Sequence, residues 1–493
     1  MNVWLALPLA APLVGAALAI MVRRLLIQRL ISFVSLTVSL VATVVVVARV
    51  AIDDTVVVTR LAGWPAEVAI TLVADRLSAL LLVVAVAVLC IVLAFAIGQR
   101  ATDERSSFYH PTYLVLAAGI AQAFLAGDLF NLFVAFELLL MSSYVLLTLE
   151  GTDAQIRSGT TYVVLNVVES VVLLTAVGLI FAATGTVSMA ELPARLAELP
   201  DGVRTGLNLL LLVAFGIKAA VFPLFFWLPD AYPTAPSSVT AVFAGLLTKV
   251  GVYAMLRTQT LLFPDEFDTL LIVIAGLTMI VGVLGAISHA EMKRILSFHI
   301  VSQIGYMVMG IGIGGEAALA ATVFFLMNQI PVKSSLFLVQ GIVERETGTS
   351  AFDQVGGLAR RSGVLAVLFL VPALSLAGLP PFSGFIAKFA LVRAGLDAEH
   401  YVIIAVALFG SLLTLVSMTK IWIGVFWGEV RPEPPAGRVG ILRHHRVMTA
   451  ATAAMVVGTV AIAVAAGPIY HYVTMAGAQL ADPSVYIEAV LGS

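Results

Sequence analysis

The chain is a succession of apolar runs, each about 20 residues long, separated by short polar turns. That pattern leaves few folds open. About 20 apolar residues form one helix long enough to cross a bilayer. In hydrocarbon every backbone N–H and C=O must pair within its own segment, so such runs fold as helices. Fourteen runs are counted, beginning near residues 3, 30, 77, 111, 128, 159, 206, 235, 268, 296, 317, 363, 400 and 447. Only Gly127 and Asp128 mark the turn between the fourth and fifth. Charged residues make up 11% of the chain, against about a quarter in soluble domains, and mean hydropathy is +1.06. The expected fold class is an all-α polytopic membrane protein of about 14 transmembrane helices, without a soluble domain of useful size.

The first run, Val3 to Met21, has no basic residue before it and Arg23, Arg24 and Arg29 after it. A signal peptide has the reverse order, so this run is expected to be a retained helix with its C-terminal end inside. Counting on from there, the inside loops hold Arg23, Arg24, Arg29, Arg100, Arg105, Arg157, Lys293, Arg294, Arg345, Arg360, Arg361, Arg431, Arg438, Arg443 and Arg446. The outside loops hold Arg49, Arg60, Arg76, Arg195, Arg204, Arg257 and Arg393. The excess on one side agrees with the positive-inside rule. An even number of spans puts both termini outside, in a multi-pass protein of the cell (plasma) membrane.

Several function classes drop out. The net charge of −2 gives no pointer to nucleic acid. The single cysteine, Cys90, lies in an apolar run, which reads as a small buried hydrophobe and leaves no disulfide framework or thiolate cluster. The seven histidines form no zinc or haem pattern, and there is no Walker loop and no nucleotide or flavin fingerprint. No cofactor or metal is expected, and the driving energy is expected from an ion gradient or a partner.

Five cations remain unplaced by the loops: Lys218, Lys249, Lys333, Lys388 and Lys420. All are lysines and all fall within apolar spans, while nearly all loop cations are arginine. A charge at bilayer depth costs several kcal/mol and marks function. Arginine keeps its proton, whereas a desolvated lysine can release one, as a relay requires. Lys420, near the inner end of its span, reads as snorkelling to the interface. Prolines punctuate two of these regions. Pro223, Pro229, Pro233 and Pro236 lie between Lys218 and Lys249, and Pro380 and Pro381 precede Lys388. Broken helices at membrane depth are tolerated where they are buried in protein or line a wet cavity. Lysine precedes proline in span 7 and follows it in span 12. That mirrored order suggests two inverted repeats, a common transporter plan. The expected organisation is 1–110 (helices 1–3), 111–260 (first repeat, helices 4–8), 261–430 (second repeat, helices 9–13) and 431–493 (helix 14 and tail).

Glu137 is the one carboxylate near the centre of the fifth span. It reads as the partner of Lys218. An acid beside a buried lysine favours the ammonium, and separation favours the neutral amine, so a modest movement loads or ejects a proton. A structural ion pair is the competing reading. Lys249, beside Thr248, is the next station, and Lys388 a terminal one. Gln329 and Lys333 share a helix face at i, i+4. His299, Ser302, Gln303 and Tyr306 recur at helical spacing as one polar stripe, able either to hold waters or to form a hydrogen-bonded helix seam. Glu169, with Asn166 in the sixth span, is a lesser acid candidate. Asp128 and Asn131 read as interfacial, Phe225, Phe226 and Trp227 as packing or an interface belt, and MAELPARLAELP as a short surface helix.

PLFFWLPDAYPTAPSSVTAVFAGLLTKVGVY (223–253) resembles the signature of the antiporter-like proton-translocating subunits of respiratory complex I, membrane-bound hydrogenases and Mrp-type multisubunit sodium/proton antiporters. HIVSQIGY, the helix around Lys333 and LPPFSGFIAKF match in the same order, and the resemblance spans nearly the whole chain. GDLFNLFVAFELLLMSSYVLL and the overall length most resemble the D-type subunits of Mrp antiporters. The resemblance implies fourteen helices with two inverted five-helix repeats, and a line of protonatable groups at Glu137, Lys218, Lys249, Lys333 and Lys388. Many relatives carry a histidine before the lysine of the eleventh span. Gln329 stands there, which leaves Lys333 to be hydrated by its neighbours. The function implied is the proton-translocating subunit of a multisubunit monovalent cation (Na+)/H+ antiporter, working with other membrane subunits. The alternative is a proton-pumping membrane subunit of an NADH:quinone oxidoreductase or hydrogenase. A reading from another class is a structural subunit without transport of its own, whose lysines would be replaceable by apolar residues.

Overall fold

The structure, a computed structural model, describes residues 2–60, 70–99, 103, 106–429 and 445–492. Of the basic residues that set the expected sidedness, Arg100, Arg105, Arg431, Arg438 and Arg443 lie outside the described residues. The chain opens with α1 (Val3–Met21) and α2 (Leu25–Ile52), then a short antiparallel hairpin of β1 (Val57–Arg60) and β2 (Thr71–Ala74). Next come α3 (Arg76–Gln99), α4 (Tyr109–Leu125), α5 (Leu129–Leu147) and α6 (Asp153–Thr184). A surface helix, α7 (Leu192–Ala197), stands where MAELPARLAELP suggested one. It leads into α8 (Asp201–Ala219), α9 (Trp227–Ala231), α10 (Ser237–Val242) and α11 (Thr248–Leu261), the last two joined by a π-helical turn over Phe243–Leu247. The remainder is α12 (Asp268–Ser288), α13 (Met292–Ile313), α14 (Gly315–Thr347), α15 (Leu358–Arg361), α16 (Gly363–Ala377), α17 (Ser383–Asp397), α18 (Tyr401–Ile421), α19 (Arg446–Val464), α20 (Ala466–Ala481) and α21 (Ser484–Leu491).

Among the described residues, twelve helices are long and apolar enough to cross a membrane, counting Ser237–Leu261 as one. The two further expected spans fall on α4 and on the α16–α17 pair, each of whose helices is 15 to 17 residues long.

Burial sorts the helices. The most apolar stretches of Ser237–Leu261 and α14 are wholly buried, whereas those of α1 and α19 are one-third buried and turn the rest outward. Of these inner helices, α14 is also the least apolar of the twelve, since a helix surrounded by protein can carry side chains that lipid would reject. Small residues let them approach. A Cβ at Gly251 would come within 2.6 Å of the Ala219 nitrogen, so α11 lies against the last turn of α8.

Two arginines expected in outer loops are instead buried helix residues. Arg76 begins α3 and pairs with Asp54 at 2.6 Å, and Arg257 lies in α11 and pairs with Asp75 at 2.7 Å. Lys293, expected in an inner loop, is likewise buried in α13. A short loop lets a long side chain fold back onto a partner, which hydropathy alone does not register. The Arg257 guanidinium also lies over the rings of Tyr253 and Tyr486, so the C-terminal α21 closes over the pair. Removing one partner of a buried pair leaves an uncompensated charge and costs about 3–5 kcal/mol. Asp75→Asn, which keeps the acceptor for the Ser78 N–H, is therefore expected to lower stability by about that amount. Thermal unfolding of the detergent-solubilised complex measures it; an unchanged midpoint would mean that water already screens the pair.

Candidate functional site

The first break in the fold positions Lys218. α8 ends at Ala219, and Ala220 takes the left-handed conformation at φ 60°. The following prolines cannot continue the ladder. At the break the Ile217 carbonyl accepts both from the Ala220 N–H at 3.1 Å and from Trp227 Nε1 at 3.1 Å. Trp227 is thus a buried closing group of the break, while Phe226 is exposed. Lys218, in the last turn of α8, has its cation near the negative end of the helix.

Around Lys218 the structure differs from the expected pairing. The carboxylate within 4 Å is Glu169 of α6, with Nζ–Oε2 at 3.6 Å. Nζ also donates to Asn166 Oδ1 at 3.3 Å and lies over the Phe136 ring. Asn166, Glu169 and Ser170 occupy one face of α6 at i, i+3 and i+4. Glu137 is one step further out: it accepts a hydrogen bond from Ser170 Oγ and lies within electrostatic reach of Glu169. The Asn166/Glu169/Ser170 spacing puts three polar side chains on one face of α6, and the rotation of that face toward α8 makes Glu169 the nearer partner.

Lys249 is fully buried two residues after the π-helical turn. A π turn leaves carbonyls without their usual partner. Lys249 Nζ donates to the Ala244 carbonyl at 2.6 Å and to Thr248 Oγ1 at 3.4 Å. Lys333 is fully buried on α14, within electrostatic reach of Lys249 and Lys388. Among the described residues its Nζ has no hydrogen-bond partner, nor do the side-chain polar atoms of Asn328. Gln329 Nε2 donates to Gln303 Oε1 at 3.5 Å, so Gln329 reaches α13 rather than Lys333.

At the second break α16 ends on Gly378, whose φ of 83° suits glycine. Lys388, on α17, reaches back across the break to the Ala377 carbonyl at 3.3 Å and to Ser411 Oγ at 2.9 Å. Its Nζ lies 4.8 Å from the centre of the Tyr306 ring. Both breaks therefore hold a lysine at the C-terminal end of a half-helix, from opposite chain directions.

The residues expected as one stripe on α13 fan out to three neighbours. His299 Nε2 meets Ser417 Oγ at 2.5 Å and Tyr306 donates to the Ala407 carbonyl at 2.6 Å, both on α18. Ser302 donates to the Met279 carbonyl of α12, and Gln303 faces α14. His299 also lies within electrostatic reach of Lys333 and Lys388. Lys420 caps the carbonyls of Ile287 and His289 at the end of α12, an anchoring role. Asp128 caps α5 by accepting from the Asn131 N–H at 2.6 Å. Among the described residues, no group of three or more His, Cys, Asp and Glu side chains is arranged to hold a metal ion.

The arrangement is a row of buried amines with one carboxylate pair at one end. Comparison with known proteins gives it a family. Residues 126–414 match the family described as NADH:quinone oxidoreductase/Mrp antiporter, TM. The chain is 42% identical to the D-type subunit of the Na(+)/H(+) antiporter of Alkalihalophilus pseudofirmus, over the full length of both. It is 35% identical to the corresponding D-type antiporter subunit of Bacillus subtilis, again over the whole of both chains. In the structure of the Mrp complex from Dietzia sp. DQ12-45-1b, one chain superposes with a TM-score of 0.93 at 36% identity, covering all of both chains. The chain belongs to the transmembrane family shared by NADH:quinone oxidoreductases and Mrp antiporters, and within it to the group of D-type antiporter subunits.

Proposed function

We propose that this chain is the D-type subunit of a multisubunit Na+/H+ antiporter of the plasma membrane. In this reading it passes protons along Glu137, Glu169, Lys218, Lys249, Lys333 and Lys388, in concert with partner membrane subunits, and both termini face outward. Its fold is read as two inverted five-helix repeats within fourteen spans. The observation that carries the reading is the row of four lysines buried among the helices, of which Lys333 is wholly unpartnered. A packing role would not require amines there, because apolar side chains of similar volume fill such sites without the desolvation cost. The full-length likeness to D-type antiporter subunits favours the antiporter over the redox-driven alternative.

In mechanism, Glu169 holds the Lys218 ammonium, and Glu137, joined through Ser170, adds a second negative charge behind it. Movement of α6 relative to the α8 break separates Glu169 from Lys218 and favours release of the proton toward Lys249, whose helix lies against the α8 terminus. Lys249 and Lys333 repel each other when both are charged, so a proton arriving at one favours departure from the other.

The test uses inside-out vesicles carrying this protein with its partners, a preformed proton gradient and a pH-sensitive dye. Addition of sodium is expected to collapse the gradient; no response to sodium, with acidification on NADH instead, would overturn the antiporter reading. In the same assay Glu169→Gln is expected to lower exchange more than Glu137→Gln, because it removes the carboxylate that touches Lys218. A loss of roughly a hundredfold for Glu169→Gln is the scale of a positioned proton-transfer group. The reverse order of severity would return the primary pairing to Glu137.

A further inference from the structure

We propose that Glu344 and Lys293 form the mouth of a proton path that runs between α10–α11 and α14 to the central lysines Lys249 and Lys333. This inference rests on the relay reading above and assigns it an entrance on the face that bears Arg345 and Arg360.

Three observations carry it. Glu344 is an acid with a partly open side chain, 39% exposed, at the end of α14, yet its Oε2 gathers inward-facing donors: Lys293 Nζ at 3.4 Å, Ser237 Oγ at 2.9 Å and Gln340 Nε2 at 3.0 Å. Lys293 itself is buried and donates to the Ala235 carbonyl at 2.8 Å, just before α10 begins. A surface charge pair needs no such shell, and this one sits where protein meets water.

Beyond the pair, buried polar atoms stand without partners. Among the described residues, Gln340 Oε1 makes no hydrogen bond, and the buried Tyr109 hydroxyl and Ser238 Oγ lie beside each other with no other polar partner. Leaving such atoms unmade is costly, so a small opening that admits water is repaid at each of them.

The two helices that flank these atoms lead to the lysines. They run antiparallel, with Gly341 against Ser237 at one end and Gly245 against Ser334 at the other. The Ser237-to-Gly245 stretch advances about 12 Å along its axis at 1.5 Å per residue. Beyond it lie Lys249 on one helix and Lys333, next to Ser334, on the other. On α14, Lys333, Gln340 and Glu344 recur at i, i+7 and i+11, one face of the helix. At the far end Lys333 Nζ, buried and unpartnered, is the acceptor that the path supplies.

The test has two arms on the complete complex. In a Cys90→Ala background, Ser238→Cys is expected to react with a membrane-impermeant methanethiosulfonate added to the Glu344 face, at least about tenfold faster than Thr322→Cys, a buried position bonded to its own helix. In sodium-driven exchange, Glu344→Gln is expected to slow the initial rate several-fold and shift its pH profile, and Glu344→Asp to restore both. A wild-type rate and pH profile in Glu344→Gln overturns the proposal whatever the labelling gives. If that variant does not assemble, labelling decides, and a Ser238→Cys as inert as Thr322→Cys overturns it. Failure of the unmodified complex to exchange sodium overturns the antiporter reading; labelling at Ser238 then still supports or overturns the path.

Discussion

Lys218→Ala is expected to abolish sodium-dependent collapse of a proton gradient, with the complex still assembled. Lys218 is the one amine paired to a carboxylate within 4 Å, among the described residues of the row. Alanine removes the group that carries the proton, and Glu169 then escapes its unpaired charge by protonating. Loss in alanine alone does not separate a relay from a structural pair, because both are broken. Lys218→Arg separates them. Arginine keeps the positive charge and can still reach Glu169 and Asn166, but it does not release its proton. A structural pair would tolerate it. A relay would lose about a hundredfold or more, the scale on which a positioned proton-transfer group contributes. Exchange near wild type in Lys218→Arg would sink the relay assignment for this residue.

Much of this fold is legible in the sequence because the bilayer makes one demand, about 20 apolar residues per crossing. Expected starts at 3, 77, 268 and 363 stand beside helices beginning at Val3, Arg76, Asp268 and Gly363. The breaks near Lys218 and Lys388 are legible for the same reason, since proline in a helix removes a ladder bond. Partner choice is not. Whether Glu137 or Glu169 touches Lys218 depends on how α5 and α6 are rotated against α8, and neither hydropathy nor spacing reports rotation. Arg76 and Arg257 escape for a related reason. Each sits at the edge of an apolar run, where a loop arginine and an arginine folded back onto Asp54 or Asp75 have the same sequence context. The π-helical turn before Lys249 has no residue signature either, because FAGLL suits an ordinary helix.

Lys333→Met is expected to abolish exchange and at the same time to stabilise the protein, a combination that Lys218 variants cannot give. Methionine matches the length and volume of the lysine stem, so α14 need not repack. What it removes is an amine with no hydrogen-bond partner in a fully buried position. An unsatisfied buried polar group costs about 1–3 kcal/mol, and that cost disappears in the variant. At Lys218 the sign is opposite, because substitution there orphans Glu169. Two measurements on one preparation, the sodium-driven dye response and the thermal midpoint of the purified complex, therefore distinguish the two lysines. Exchange retained in Lys333→Met would remove Lys333 from the proton path. Exchange lost together with a lowered midpoint would mean that Lys333 holds helices together, and its lack of a partner would then need another explanation. Only lost transport with a raised midpoint fits a group kept at an energetic cost for the proton it carries, which is where local stability and function are expected to conflict.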